Sequence, residues 1–376
     1  MHKYQRNSSI ELLRICSMFM IYSYHFVTQN GFPILSQHIS VQKFLFVVGL
    51  GSYGRVGVVV FFIISVWFLV DKKGLTLLNS LKRIWVLERE ILFWSLTLFI
   101  CSLIFLSMPF SLHTLLSSLF PLVMGTWWYA SAYAMFLLFM PFLSQGLRIL
   151  GRRRHAQLCI VSLGLWGGLG LLPKIMPVVQ LGRTQFYGFF YLFILITFYK
   201  WYMDEFTLRE SLMLVVAGEV VIIVYWFVSN FLEPHFSSET SLALERFMVA
   251  DWSLPIVMIG FGLFSLFNSF CFSNVIVNWL AASTFGVYLI HQYEPVANLL
   301  FVRLFNVVDI WDEPYAFVLS FVVLSVSYFM LILIESLRKP IFILLDRNRG
   351  RVFDLIIREM IPLGRLMVSK IEPLLK

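Results

Sequence analysis

About ten stretches of roughly 16–22 predominantly apolar residues recur along the 376-residue chain, and most hold no more than one or two charges. A membrane-spanning helix needs about 20 such residues. The runs are continuous rather than alternating, which excludes an outer-membrane barrel. With 59% hydrophobic and 13% charged residues, a water-soluble fold would lack the polar surface to cover its core. The same apolar content excludes a disordered chain. The sequence therefore reads as an all-α polytopic membrane protein with about ten transmembrane helices.

The candidate spans cover about 9–28, 55–70, 91–108, 127–144, 156–173, 185–203, 212–232, 253–271, 280–301 and 315–336. The second is short unless the glycine-rich residues from 45 onward join it. The brief apolar piece 112–124, interrupted by Pro121, reads as re-entrant or interfacial. With an even number of spans both termini share a side. Most of the 29 Lys and Arg then fall on that side, among them Lys82, Arg83, Arg89, Arg148, Arg152, Arg153 and Arg154. The positive-inside rule makes this side, and both termini, cytoplasmic. The opposite loops are acidic, with Glu233, Glu239, Asp309, Asp312 and Glu313.

Residues 1–336 form one membrane domain in this reading, and 337–376 a basic amphipathic cytoplasmic tail on the anionic leaflet. The net charge of +8 thus belongs to membrane topology rather than to nucleic-acid binding. The N-terminal apolar run carries Glu11 and Arg14 and no small-residue cleavage site, so it is not read as a cleaved signal. Cys16, Cys101, Cys159 and Cys271 stand singly, which supports neither a disulfide framework nor a zinc site. No P-loop, dinucleotide fingerprint or GxSxG elbow is present.

Ionisable residues inside a span are costly and mark candidate function. The first span holds Glu11, Arg14 and His25. At 100° per residue, Arg14 and His25 lie about 20° off a common line and roughly 16 Å apart along the axis. Glu11 stands one turn before Arg14, placed to orient it. The pattern suits an anion-binding group near one boundary and a base near the other. It equally suits an interfacial ion pair and a packed histidine. In the ninth span His291 and Glu294 are three residues apart, on one face of a helix, where the carboxylate can fix a histidine tautomer or serve only structure. A Glu-x-x-His di-metal site needs two such motifs, and the chain has no such pair, so no metal is expected. Glu219 is alone in the seventh span. Arg83 and Arg89 sit in a charged cluster that is either a positive-inside anchor or a rim for phosphates.

Several of these pieces resemble the acyltransferase-3 family of integral-membrane acyltransferases. The segment SSIELLRICSMFMIYSYHF resembles that family's opening helix, an acidic residue, Leu-Arg, then a histidine ten intervening residues later, in this chain Glu11, Arg14 and His25. GSYGRVGVVVFFIISVWFL is similar to its glycine-rich second helix through Gly54, Gly57, Phe61, Phe62 and Ser65, with Val59 at the aspartate position and Val66 at a glycine. LKRIWVLEREILFWS resembles the basic start of the third helix through Arg83 and Arg89, with Glu90 and Ile91 where a proline usually follows. Trp128, Tyr133 and Pro141 match a fourth-span pattern, and Ser283, Phe285, Tyr288 and His291 a late Ser-Phe-x-x-Tyr-Leu-x-His segment.

The resemblance implies transfer of an acyl group, most commonly acetyl, from cytoplasmic acyl-CoA to a hydroxyl of a cell-surface or lipid-linked glycan, in a bacterial inner membrane. It implies His25, Arg14 and Glu11 as catalytic residues and Arg83, Arg89, His291 and Ser65 as substrate-binding ones. Acetyl-CoA is the donor substrate in this expectation, and no metal takes part. The alternative is a transporter or flippase for a lipid-linked saccharide, with Glu11, Arg14, His25 and Glu219 along a polar path.

Overall fold

The computed structural model describes residues 7–72, 75–169, 186–232, 252–345 and the single residue 358. Most of the expected tail, and Glu233 and Glu239 of the expected acidic loops, lie outside the described residues. Among those described the secondary structure is helical, with no strand. The first helices are α1 (Ser8–Gln29), α2 (Val41–Trp67) and α3 (Leu77–Phe105). Two short ones, α4 (Leu112–Leu119) and α5 (Pro121–Met124), precede the long α6 (Trp128–Ser162). Then come α7 (Tyr187–Tyr202), α8 (Leu208–Leu232) and α9 (Leu254–Asn268). Three short helices follow, α10 (Val275–Ala281), α11 (Thr284–His291) and α12 (Glu294–Asn298). The last are α13 (Ala316–Ser336) and α14 (Arg338–Leu345). Five helices among the described residues are long and apolar enough to cross a membrane. The chain is a multi-pass membrane protein in its architecture.

Local chemistry sets the ends of these helices. The Asn7 side chain accepts the Ser9 N–H at 3.0 Å and starts α1, satisfying an otherwise orphan donor. At the other end the Asn30 amide donates to the Phe26 carbonyl at 2.7 Å and covers an unpaired acceptor. Ser40 begins α2 by accepting the Lys43 N–H at 3.0 Å, so the helix takes in the glycine-rich residues before 55. Its stretch Leu45–Ser52 winds as a π-helix. The piece 112–124 is helical but broken at Phe120 (φ −127°, ψ 55°), next to Pro121, which has no N–H to continue a ladder.

One stretch differs from the sequence reading. The basic segment between the expected fourth and fifth spans is not the difference: α6 is two helices that meet at a kink at Gly151 (φ 69°, ψ 171°), a backbone state that favours glycine, with Arg152, Arg153 and Arg154 helical just beyond it. The ninth span, expected as one helix, is broken instead into α10, α11 and α12. Pro295 sits in the first turn of α12, where it needs no N–H, but it has none to give the His291 carbonyl and so could not have continued α11.

Helix α1 lies at the centre, packed against α2, α9, α10, α11 and α13. Lipid and leucine are equally apolar, so close helix contact depends on small residues rather than on a hydrophobic drive. A Cβ on Gly54 would fall 2.0 Å from Tyr24 Cβ, and one on Gly57 would fall 2.4 Å from the Ser17 carbonyl oxygen. These two glycines bring α2 against the face of α1 that carries His25. The missing family aspartate is explained by packing. Val59 is fully buried, with its methyl 2.5 Å from where a Gly260 Cβ would stand on α9.

A buried ionic network ties α3 to α13 and α14. Glu335 is 0% exposed; its Oε1 accepts from Arg338 Nε at 2.8 Å and Nη2 at 2.6 Å, and its Oε2 accepts from Trp94 Nε1 at 2.6 Å. Arg338 also meets Glu90 at 2.9 Å, so the residue that replaces the usual proline is a working ion partner. Gly286 of α11 makes room for this carboxylate, since its Cβ would stand 2.1 Å from Glu335 Oε2.

Candidate active site

His25, one turn from the end of α1, meets His291, the last residue of α11. Their Nδ1 and Nε2 atoms are 2.9 Å apart, and both rings are buried. The protons on this pair follow from its neighbours. His291 Nδ1 lies 2.7 Å from the Val287 carbonyl, which can only accept, so that nitrogen carries a hydrogen. A neutral His291 then has its lone pair on Nε2, and His25 Nδ1 must donate to it. Two imidazolium rings in contact repel, which favours this neutral arrangement. The tautomer leaves the lone pair of His25 on Nε2, as a base requires.

The ring of His291 is fixed from several sides. Tyr22 of α1 meets it edge-on at 5.0 Å, and the Tyr22 hydroxyl is paired with Ser327 at 2.9 Å. Trp127 Nε1 donates to the Leu289 carbonyl at 3.0 Å, and the Tyr129 N–H donates to the Tyr288 hydroxyl at 3.3 Å. These bonds hold the short α11 to the start of α6. His25, but not His291, lines a cavity of about 560 Å³. Its wall includes aromatic residues such as Phe61, Trp128 and Phe285, and polar ones such as Thr28, Arg55 and Gln292. Residues 32–36, beyond the end of α1, also line it.

At the opposite end of α1, Arg14 Nη1 is 2.9 Å from Glu11 Oε2, as the one-turn spacing predicts. Between this pair and the cavity stand Tyr129 and Tyr133, stacked at 6.2 Å with 13° between their planes. Ser65 neighbours both tyrosine hydroxyls, Arg14 is in electrostatic reach of both, and Arg83 is in reach of Tyr133. Tyr129 also lines the His25 cavity. Tyr129 and Tyr133 are thus the polar side chains in electrostatic range of Arg14, with Arg83 in range of Tyr133, and Tyr129 shares the cavity with His25.

Of the residues proposed from sequence, His25 and His291 are in direct contact. Glu11 and Arg14 are paired, Ser65 neighbours the Tyr133 hydroxyl, and Arg14 and Arg83 lie within electrostatic range of it. Ser65 itself donates back to the Phe61 carbonyl at 2.8 Å. Arg89 is not in this group; its guanidinium lies 5.4 Å from the ring centre of Phe342 on α14. Glu294 does not share a helical face with His291. The chain leaves α11 after His291, Glu294 is exposed at the start of α12, and the Val287 carbonyl sets the tautomer instead. Glu219 neighbours the Tyr53 hydroxyl. Tyr129 and Gln292 escaped a sequence search built on charge, because tyrosine and glutamine in apolar runs look like packing; Tyr288 was marked only through its motif. Arg55 carried a signal, a cation at the edge of an apolar run. Among the described residues no group of His, Cys, Asp and Glu is arranged to hold a metal ion.

A family-wide sequence model described as an acyltransferase domain matches residues 7–334, nearly the whole chain. No curated protein and no solved structure matches it significantly.

Proposed function

The chain belongs to the acyltransferase-3 family, and on that premise we propose that it transfers an acyl group, most simply acetyl, from cytoplasmic acyl-CoA to a hydroxyl of a cell-surface or lipid-linked glycan. That it is an acyltransferase follows from the family; the donor, the acyl group and the acceptor are our reading. The observation that carries it is the oriented histidine pair, which leaves a basic Nε2 on the residue that lines the cavity.

His25 Nε2 takes the proton of the acceptor hydroxyl as its oxygen attacks the thioester carbonyl. The carbon–sulfur bond then breaks and an ester forms. The departing CoA sulfur recovers the proton from the His25 imidazolium, so the enzyme ends as it began. His291 acts through His25, holding the ring in the tautomer that can accept. Arg14, oriented by Glu11, and Arg83 hold phosphates of the donor, a task that suits guanidinium. The roughly 16 Å between Arg14 and His25 along α1 matches a donor whose thioester sits at the end of a long flexible arm. Ser65, Tyr129 and Tyr133 line its way. Ten spans with cytoplasmic termini in a bacterial inner membrane put the Arg14 end inside and the cavity toward the outside. The family match lends no support to a flippase.

The test uses purified protein in nanodiscs with radiolabelled acetyl-CoA and a panel of glycan acceptors, wild type beside His25→Ala and Arg14→Ala. Label on a glycan that disappears in both variants, with unchanged folding, supports the assignment. Transfer that persists in His25→Ala overturns the base, and absence of both turnover and acetyl-CoA binding in the wild type overturns the donor.

A further inference from the structure

Trp127 and Trp128 stand side by side at the start of α6, and the fold uses them in opposite ways. Trp127 is 1% exposed, and its Nε1–H donates to the Leu289 carbonyl at 3.0 Å. Trp128 is half-buried and lines the His25 cavity. Its Nε1–H has no acceptor among the described residues, and it is not sealed in the core as the Nε1 atoms of Trp226 and Trp252 are. An indole can only donate, and away from water such a donor usually finds a partner. The acyl-transfer steps give Trp128 no role.

The place of this indole is fixed from several directions. The residues on either side of it both bond to α11, Trp127 through the Leu289 carbonyl and Tyr129 through its N–H to the Tyr288 hydroxyl. Helix α11 ends at His291, which holds His25. Ser131, one turn on, donates to the Leu122 carbonyl at 2.8 Å and ties the start of α6 to α5. The Trp128 ring packs edge-on to Tyr129 at 5.8 Å and lies 6.4 Å from Phe189 of α7, with 22° between their planes. Phe189 is fully buried and stacks on Phe62 at 4.4 Å. The indole therefore keeps one station relative to the base.

The cavity thus offers a ligand three things: the His25 Nε2 lone pair, which accepts from a hydroxyl, the Trp128 Nε1–H, which needs an oxygen, and aromatic walls such as Phe61 and Phe285. Its volume of about 560 Å³ is ordinary for a small-molecule site. An acyl chain would fill the aromatic walls and leave the indole donor unmade. A pyranose meets all three, since its C–H face lies flat on an aromatic ring, its oxygens accept from Nε1 and its hydroxyls donate to His25.

We propose that Trp128 is a saccharide-binding residue, which carries a pyranose ring of the acceptor and donates Nε1–H to one of its oxygens while a hydroxyl of that saccharide faces His25. This rests on the glycan reading for the hydroxyl that reacts. It adds that the acceptor unit in the cavity is a closed sugar ring, and it makes Trp128 a residue that sets specificity.

The experiment is equilibrium binding to the full chain in nanodiscs, read by calorimetry, so it does not depend on turnover. The probes are a panel of neutral methyl pyranosides, the matching open-chain hexitols, and a long-chain acyl-CoA. The wild type is expected to bind at least one pyranoside about tenfold or more tightly than its hexitol. Trp128→Leu should bring that ratio toward one, and Trp128→Phe, which keeps a ring and loses the donor, should keep part of it. Affinity for acyl-CoA should stay unchanged in both. If the variants do not fold, 5-fluorotryptophan placed at position 128 of the otherwise native chain gives the second reading, a fluorine resonance that moves with the pyranoside and not with the hexitol. Failure of every pyranoside to bind the wild type overturns the proposal, as does a ring preference that survives Trp128→Leu in a folded protein. A loss in Trp128→Leu confined to long-chain acyl-CoA would also overturn it, giving the cavity to the acyl chain. Acyl transfer with no ring preference would leave the reaction standing and remove Trp128 from it; a Trp128-dependent ring preference without transfer would do the reverse.

Discussion

At the scale of single residues, the site is governed by where protons sit. Val287 contributes only a carbonyl, yet that oxygen decides the state of two imidazoles in sequence. His291→Phe deletes the acceptor for the His25 Nδ1–H, while His291→Gln offers a side-chain oxygen in its place. The expected loss in kcat for His291→Phe is about fivefold to 150-fold, the equivalent of the ~1–3 kcal/mol of an unmade buried hydrogen bond. The KM for acyl-CoA should change little, and His291→Gln should recover part of the rate. Steady-state kinetics in nanodiscs reads this split; a fall confined to KM would remove His291 from its positioning role. Glu11 acts similarly on Arg14 at the other end of the helix, so Glu11→Gln should raise the KM for acyl-CoA more than it lowers kcat.

At the scale of elements, close approach and one ion network replace the hydrophobic drive that membranes lack. Gly57→Ala would press a methyl to 2.4 Å from the Ser17 carbonyl, backbone that cannot swing away. It should destabilise by about 1–3 kcal/mol, the usual range for overpacking, and move α2 off the face of α1 that carries His25. Thermal unfolding in detergent measures this, and an unchanged midpoint would mean that the two helices have room to separate at no cost. The Glu335–Arg338–Glu90 group makes a second case. Glu335→Ala strands a buried guanidinium and should cost about 3–5 kcal/mol, more than Glu90→Ala, which leaves Arg338 its two bonds to Glu335 Oε1. Equal effects of the two variants would mean that Glu90 holds Arg338 as firmly as Glu335 does.

At the scale of the whole molecule, the proposed orientation puts the His25 cavity and the Arg14 end on opposite sides of the membrane. In a background without native cysteines, His38→Cys and Asp309→Cys should react with an impermeant maleimide on intact cells. Arg153→Cys should react only after permeabilisation. The reverse pattern would put the Arg14 end outside and exclude cytoplasmic acyl-CoA as a donor reaching it. The cavity and the surroundings of Tyr129 and Tyr133 exist only in the assembled bundle, because they draw on α1, α2, α3, α6 and α11 together.

Much of this was legible in the chain itself. Continuous apolar runs determine helices, since backbone groups in lipid have to bond within their own segment. The spacing of Glu11, Arg14 and His25 determines their shared line and the ion pair, because an unbroken helix has a known pitch. The family motifs carried the reaction class, and the position of His291 in its segment marked it as a candidate. What the sequence could not determine was which of these meet. The contact of His25 with His291 joins residues far apart in the chain. The Val287 carbonyl has no sequence signature, since every residue has one. Glu294 shares a helical period with His291, but a break at the following residues, with Pro295 behind it, defeats that period. Periodicity is a local property and holds only while the helix continues; proton placement and the shape of a cavity are set by neighbours, which the tertiary structure alone supplies.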